Sequence, residues 1–319
     1  MDGIDIERRR QAWSSYWAAG GLHSCIGSLV DDRDGAIGRF WQSVFSGLND
    51  GARVLDVATG NGALPKLLAA AFGGRVQVDA VDLADLAPAW RLPGADDGIT
   101  FHSGVRMEAL PFADATFDLV VSQFGLEYGR WPDAASEAGR VRAAGGRMAF
   151  VMHHASSVIV RMGRGELAQQ EMLLAEGGLL QVAADFLPHL ARVQAGGVPD
   201  AEANRARMAY NAVLAQLGER IEQDPAPHLL IDAREQVHGI VGGRFGPGLD
   251  DRRARLQGYS QAVADAVVRT RELLACALDE DRAEEFAALL RGSGSAPGVL
   301  EMAPLVEGQD IVAWGVRAG

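Results

Sequence analysis

The sequence predicts an α/β protein whose core is a doubly wound, mainly parallel sheet, and three observations carry that expectation. Short β-branched runs alternate with helical stretches through residues 51–155. The first run turns into a glycine pair at the head of a helix. Two further apolar runs return at the C-terminus after a long stretch without strand character. Strands separated by helices of this length build βαβ units, whose crossovers favour parallel pairing.

Residues 1–50 mix aromatic and turn residues: Trp13, Tyr16 and Trp17, then Gly20-Gly21, then Phe40, Trp41 and Phe45. They read as an N-terminal helical lid. Residues 51–155 read as the α/β core, with strands at 53–57, 76–82, 117–122 and 147–152. Residues 156–292 lose the strand signal and read as a large helical insertion of four to six helices. Met208, Val213, Leu214, Leu217 and Ile221 fit one helical face, as do Val263, Val267, Leu274 and Leu278. Glycine pairs and prolines punctuate the insertion. Residues 293–319 read as two closing strands joined across Glu307-Gly308, which return the chain to the core sheet.

Composition excludes several classes. With 30 basic and 42 acidic residues the net charge is −12, and no basic patch offsets it, so a nucleic-acid partner is not expected. Arg8-Arg9-Arg10 and Arg252-Arg253 are too short to count. No window of ~18 apolar residues predicts a membrane span, and the charged start MDGIDIERRR has no signal-like apolar region. Cys25 and Cys276 are isolated and build no disulfide framework. A cytoplasmic location is the expectation.

The segment Val54–Pro65 carries the most chemistry. A buried strand runs into Gly60-Asn61-Gly62, and a helix follows with Pro65 in its first turn, where proline is tolerated. Glycines let the backbone turn tightly and approach a ligand closely. Asp82 ends the second strand 20 residues beyond Gly62, where a carboxylate can accept both ribose hydroxyl protons. A dinucleotide loop wants a third glycine where Pro65 stands, and a carboxylate such as Asp56 beside a pyrophosphate is electrostatically poor. Beside an ammonium and a sulfonium the same carboxylate is favourable. Those are the charges of S-adenosylmethionine, which has no phosphate.

With these residues the chain resembles the class I S-adenosylmethionine-dependent methyltransferases. Asp56-Val57-Ala58-Thr59-Gly60-Asn61-Gly62 is similar to their acidic-x-Gly-x-Gly-x-Gly motif, with Ala58 at the first glycine. The run Met107–Val121, containing Ala109-Leu110-Pro111-Phe112 and Phe117-Asp118-Leu119-Val120, resembles the type 11 methyltransferases. With Phe124-Gly125 it is also similar to ubiquinone/menaquinone biosynthesis C-methyltransferases. Such enzymes usually carry an Asp where this chain has Arg106, so the adenine contact would pass to backbone or to Met107 and Glu108. The resemblance implies a Rossmann-like, seven-stranded sheet with the insertion before its last two strands. It places Asp56, Ala58, Gly60, Asn61 and Gly62 at the methionine end, Asp82 at the ribose and Leu83 beside the adenine. Ser122, Gln123 and Phe124 would lie between cofactor and acceptor.

Methyl transfer is an in-line displacement whose leaving group is a neutral thioether, so it needs alignment first and a base second. The candidate bases are His23, Glu127, His153 and His154; adjacent histidines in a strand face opposite sides, so at most one of the last two faces the site. No metal-ligand spacing occurs. The expected partner is a small, partly apolar or aromatic acceptor, and the inserted helices read either as a cap or as a homodimer interface. Two other readings stay open: a non-catalytic S-adenosylmethionine-binding module with a helical docking surface, and a nicotinamide oxidoreductase, which Pro65 and Asp56 disfavour.

Overall fold

The computed structural model describes residues 6–24, 34–86, 88–91, 98–246, 248–292 and 298–319; Cys25 lies outside them. The chain divides into two compact units, one of residues 1–162 and 272–319, the other of residues 163–271.

The first unit holds a seven-stranded sheet. In chain order its strands are β1 (Arg53–Val57), β2 (Gln77–Asp82), β3 (Ile99–Ser103), β4 (Phe117–Gln123), β5 (Arg142–Met152), β6 (Leu300–Glu307) and β7 (Asp310–Ala318). Their spatial order is β3-β2-β1-β4-β5-β7-β6. The first five are parallel, while β7 runs antiparallel between β5 and β6. The two C-terminal runs do return to the core sheet. The central strands are buried on both faces, as parallel strands under helices must be; in β1, Val54, Leu55, Asp56 and Val57 are all covered.

Helices α1 (Ile6–Ala18), α2 (Ala36–Phe45), α3 (Ala63–Phe72) and α4 (Trp131–Val141) belong to this unit. One face of the sheet packs Ile37, Phe40 and Trp41 of α2 and Leu64 and Leu68 of α3 against Val54, Val78 and Leu119. The opposite face packs α4 and the last helix, α10 (Glu280–Gly292), through Trp131, Phe286 and Leu290 against Val120 and Phe150. The strand β3 has no counterpart in the sequence reading. Its five residues alternate between apolar and polar and lie between Gly98 and Gly104, too short a signal to stand apart from a loop.

The second unit is helical. It contains α6 (Leu179–Gln194), α7 (Ala201–Gln223) and α8 (His228–Gly242), with most of α5 (Val158–Leu174) and α9 (Leu249–Cys276). Among the described residues, six helices, α5 to α10, lie between β5 and β6. In α7 the buried face runs through Ala203, Tyr210 and Leu217, with Val213, Leu214 and Ile221 packed against it. Met208, which the sequence reading put on that face, is 68% exposed; it falls off the stripe that Tyr210 occupies. Among the described residues no helix is long and apolar enough to cross a membrane.

Candidate functional site

Strands β1 and β2 end side by side, and the glycine loop bends over their carboxyl ends, where open α/β sheets present ligand crevices. Three residues of this bend take left-handed backbone, Ala58 (φ 56°), Gly60 (φ 54°) and Gly62 (φ 80°). For Gly60 space matters as well as φ. A Cβ there would lie 2.5 Å from Trp17 Cζ2, so α1 could not seat so close on any other residue. At Gly125, after β4, an added Cβ would meet Ala58 Cβ at 2.5 Å.

Asp82 is wired into the bend. The Gly60 N–H donates to its Oδ2 and the Ala84 N–H to its Oδ1, both at 2.8 Å. A carboxylate has roughly four acceptor positions, so capacity remains on both oxygens. Burial outweighs these backbone bonds and pushes Asp82 up to about 6.

Asp56 is built differently. It is 1% exposed, its Oδ2 accepts from Thr59 Oγ1 at 2.5 Å, and its Oδ1 has no partner. Burial pushes it up to about 8; the Thr59 bond works against that and the charge of Asp82 works with it. An orphaned buried carboxylate oxygen calls for a donor, best a charged one.

Two cavities meet here. The larger, about 330 Å³, is lined by Ala58, Asp82, Leu83, Met107, Glu108, Gln123 and Phe124, with Trp13 and Trp17 of α1 and with Tyr128. A cavity of about 20 Å³ lies against Asp56, Thr59, His23 and Ser24, and shares Ser24, Ala58, Gln123 and Phe124 with the first. Every lining residue belongs to the first unit.

Several sequence-singled residues stand in these walls, and others do not. Glu108 faces the larger cavity and accepts from the Arg130 N–H at 3.0 Å; Arg106 pairs with it at 3.4 Å. Met107 packs on Gly129, where a Cβ would meet its sulfur at 2.3 Å. Gln123 lines both cavities while its Oε1 accepts from Trp41 Nε1. Ser122, by contrast, is 1% exposed; its hydroxyl donates to Val57 O and accepts from the Leu126 N–H, tying β1 to the turn after β4. Gly60, Asn61 and Gly62 line neither cavity. The Asn61 Nδ2 donates to Trp17 O and Gly21 O.

The candidate bases separate. His23 lines the cavity at Asp56. His153 and His154 face opposite ways, as a strand requires. His153 stacks on Phe124 at 4.5 Å, and His154 stacks on Trp314 at 4.4 Å, away from both cavities. Glu127 and His153 are fully buried. Glu127 Oε1 accepts from the His153 backbone N–H at 2.8 Å and lies 3.9 Å from its Nε2, which is 3.4 Å from Tyr128 Oη. Burial pushes Glu127 up to about 7 and holds His153 down at about 3. The sequence reading passed over Arg9 and Glu272, which pair beside Tyr128; Arg9 also donates to Tyr128 O, and Trp13 Nε1 to Glu272 Oε2. No local pattern could have signalled a contact across that sequence distance. Among the described residues no three His, Cys, Asp or Glu side chains gather as a metal site requires.

Residues 54–146 match the family model of a methyltransferase domain. The ubiquinone/menaquinone biosynthesis C-methyltransferase of Teredinibacter turnerae is 33% identical over 141 residues, covering 41% of this chain and 57% of that protein. The protein of the same name from Shewanella oneidensis is 29% identical over 184 residues, 54% of this chain and 73% of that one. The chain thus spans little more than half the length of the first of these relatives. The geranyl diphosphate C-methyltransferase of Streptomyces coelicolor, solved with geranyl diphosphate and S-adenosyl-L-homocysteine, aligns with 18% identity and a TM-score of 0.34 over 46% of this chain and 64% of that one. Residues 54–146, which contain the glycine bend, Asp56 and Asp82, thus match a methyltransferase domain, and the chain is similar to S-adenosylmethionine-dependent C-methyltransferases.

Proposed function

We propose that this protein transfers the methyl group of S-adenosylmethionine to a small-molecule acceptor. The observation that carries the reading is Asp56: a fully buried carboxylate at the glycine bend with one oxygen unpartnered. Left alone, such a group is costly; opposite an ammonium it is favourable. The adjoining cavity of about 20 Å³ is the size of one water or one ammonium head. At the other end, the spare acceptor positions of Asp82 suit two ribose hydroxyls, and Leu83, Met107 and Glu108 suit an adenine, with Glu108 accepting from its amino group. Ala58, which lines both cavities, passes beneath the chain that joins these ends.

Bound there, the cofactor supplies an electrophilic methyl group and leaves as a neutral thioether. What the protein adds is alignment, which contributes roughly 7–11 kcal/mol, and a sink for any proton the acceptor loses, which contributes roughly 10²–10⁴-fold. Glu127 is the assigned sink. It titrates near neutral pH, and its Oε1 lies 3.9 Å from the same His153 Nε2 that Tyr128 Oη, in the cavity wall, approaches at 3.4 Å. The aromatic walls Trp13, Trp17, Phe124 and Tyr128 favour a flat, partly apolar acceptor. The relatives named for ubiquinone and menaquinone biosynthesis point to a phenol or quinol in that class.

Calorimetry with S-adenosylhomocysteine tests the cofactor site: micromolar or tighter binding is expected, and its absence in folded protein ends the reading. Mass spectrometry of a panel of phenols, quinols and amines incubated with S-adenosylmethionine tests transfer. Binding without methylation of any of them would leave a cofactor-binding module.

A further inference from the structure

Gln123 is the last residue of β4, paired with Val151 of β5, and its side chain stands in the wall that the two cavities share. The strand stops there because Phe124 turns into left-handed backbone (φ 54°) while its N–H still donates to Val151 O at 2.7 Å. An L-residue is strained in that conformation and keeps it only where its surroundings fix it. Here the Phe124 ring is 6% exposed and lies flat on His153. The bend therefore sets Gln123 at one defined place, between the cavity at Asp56 and the cavity at Asp82.

The direction of its amide is also fixed. Gln123 Oε1 accepts from Trp41 Nε1, and Trp41 is 2% exposed, stacked on Phe45 at 5.5 Å and edge-on to Phe40 at 5.1 Å. An indole nitrogen only donates. Reversing the amide would set N–H against N–H in a buried place and leave both unsatisfied. The oxygen is thus committed to Trp41, and Nε2 keeps two hydrogens. Nε2 makes no bond to a described residue, and it is not sealed from the cavities. The neighbouring polar groups differ in this respect: Ser122 Oγ is used by Val57 and Leu126, and the Asn61 amide hydrogens by Trp17 and Gly21.

An amide whose oxygen is spent can donate, but it cannot accept a hydrogen bond or take up a proton. The group that suits it is an oxyanion. With the ammonium of the cofactor at Asp56 and its ribose at Asp82, the sulfonium lies between them, on the stretch of wall that Gln123 occupies. A cation and two N–H dipoles both draw a negative oxygen to that point, and both repel an ammonium. We propose that Gln123 determines acceptor specificity: its Nε2 hydrogens hold the oxygen of a phenolate or enolate beside the methyl group, and Trp41 positions the amide by holding Oε1. The proposal rests on the methyltransferase reading and deepens it. Phenols are taken, while arylamines of the same shape are disfavoured, because their N–H groups find no acceptor on this amide.

The test uses 4-nitrophenol, whose ionisation is read by absorbance, bound to the full chain saturated with S-adenosylhomocysteine. That product has no sulfonium, so the absorbance reports the amide and not the charge of the cofactor. In the wild type the bound phenol should ionise about one to two pH units lower than in water, a roughly 10–100-fold preference for the phenolate. Gln123→Met removes the donors and should abolish that preference. Gln123→Glu keeps an oxygen for Trp41 Nε1, and so keeps the structural bond, yet should reverse the preference because a carboxylate repels the phenolate. A role confined to holding Trp41 would leave Gln123→Glu like the wild type. Should Gln123→Met fail to fold, Gln123→Glu alone decides. A lowered ionisation that survives in a folded variant overturns the proposal, and so does an absence of saturable 4-nitrophenol binding to the wild type. Weakening of S-adenosylhomocysteine by more than tenfold in folded Gln123→Met also overturns it, since the amide would then serve the cofactor's carboxylate. If the wild type gives no calorimetric heat with S-adenosylhomocysteine, it is the methyltransferase reading that has failed.

Discussion

Asp56 and Asp82 sit at the ends of neighbouring strands, and the protein treats them in opposite ways. Asp82 is half-buried and already bonded to two backbone N–H groups, so it shapes the bend before any ligand arrives. Asp56 is sealed, has a single hydroxyl donor and keeps one oxygen free. The first behaves as a structural clamp with spare capacity, the second as a vacancy of charge. One residue type thus serves two purposes, separated by how completely the fold satisfies each carboxylate.

Removing the clamp should do the most damage. Asp82→Ala leaves the Gly60 and Ala84 N–H groups without their acceptor and removes the proposed ribose contact. It should cost about 2–4 kcal/mol of stability and abolish measurable S-adenosylhomocysteine binding, by thermal melts and calorimetry. Binding within tenfold of wild type would erase the distinction drawn between the two carboxylates.

The charge vacancy has a pH signature. Asp56 lies at about 8 without a cation beside it, so a cationic ligand must draw a proton off it at lower pH. Affinity for S-adenosylhomocysteine should rise by up to about tenfold per pH unit from pH 6 toward 8, then level off. Asp56→Asn should flatten that slope and weaken binding at pH 8 by roughly 10–100-fold, the loss of a hydrogen bond to a charged group. A slope that survives the substitution assigns the titration elsewhere.

The ligand-free fold should respond in the opposite sense. Asp56 and Glu127 have folded pKa values of about 8 and about 7, above those of the unfolded chain. Their stabilisation is present at low pH and fades as pH rises through those values. The melting temperature should therefore be higher at pH 6.5 than at pH 8, by an amount worth on the order of 1–2 kcal/mol. Below about pH 6.5 buried His153, held near 3, opposes this because the unfolded chain takes up its proton. A melting temperature that instead climbs from pH 6.5 to 8 would show both carboxyls to be satisfied by something other than burial and the bonds described.

The smallest effect concerns the bend itself. Ala58 holds φ 56°, where an L-residue is strained by about 1–2 kcal/mol and glycine is not. Glycine costs some of that back in the unfolded chain. Ala58→Gly should be neutral to about 1 kcal/mol stabilising in denaturant titration. A loss above about 1 kcal/mol would show that the Ala58 methyl group packed against Gly125 matters more than the strain.

Much of this site was legible in the residues alone. The strand-into-glycine bend, Asp56 inside the first strand and Asp82 at the end of the second are local patterns, and so were read at the right positions. Met107, Glu108, Gln123 and Phe124 were also placed where the cavity walls are. Ser122 and Asn61 were singled out for the same neighbourhood, yet their polar atoms are used by Val57, Leu126, Trp17 and Gly21. Position along a strand says which side chains come near a site, and says nothing of which hydrogen bonds are already made.

The sequence by itself determined the parallel core, the glycine bend with its two carboxylates and the cofactor class, because strand periodicity, backbone freedom at glycine and the sign of a charge are properties of a few neighbouring residues. Only the tertiary structure decided that Asp56 has a free oxygen while Asp82 does not. It alone put Trp17 on Gly60, set Glu127 against His153, and brought Arg9 to Glu272 across most of the chain. Burial and hydrogen-bond satisfaction depend on what distant segments bring to a point, and no short stretch of sequence carries that information.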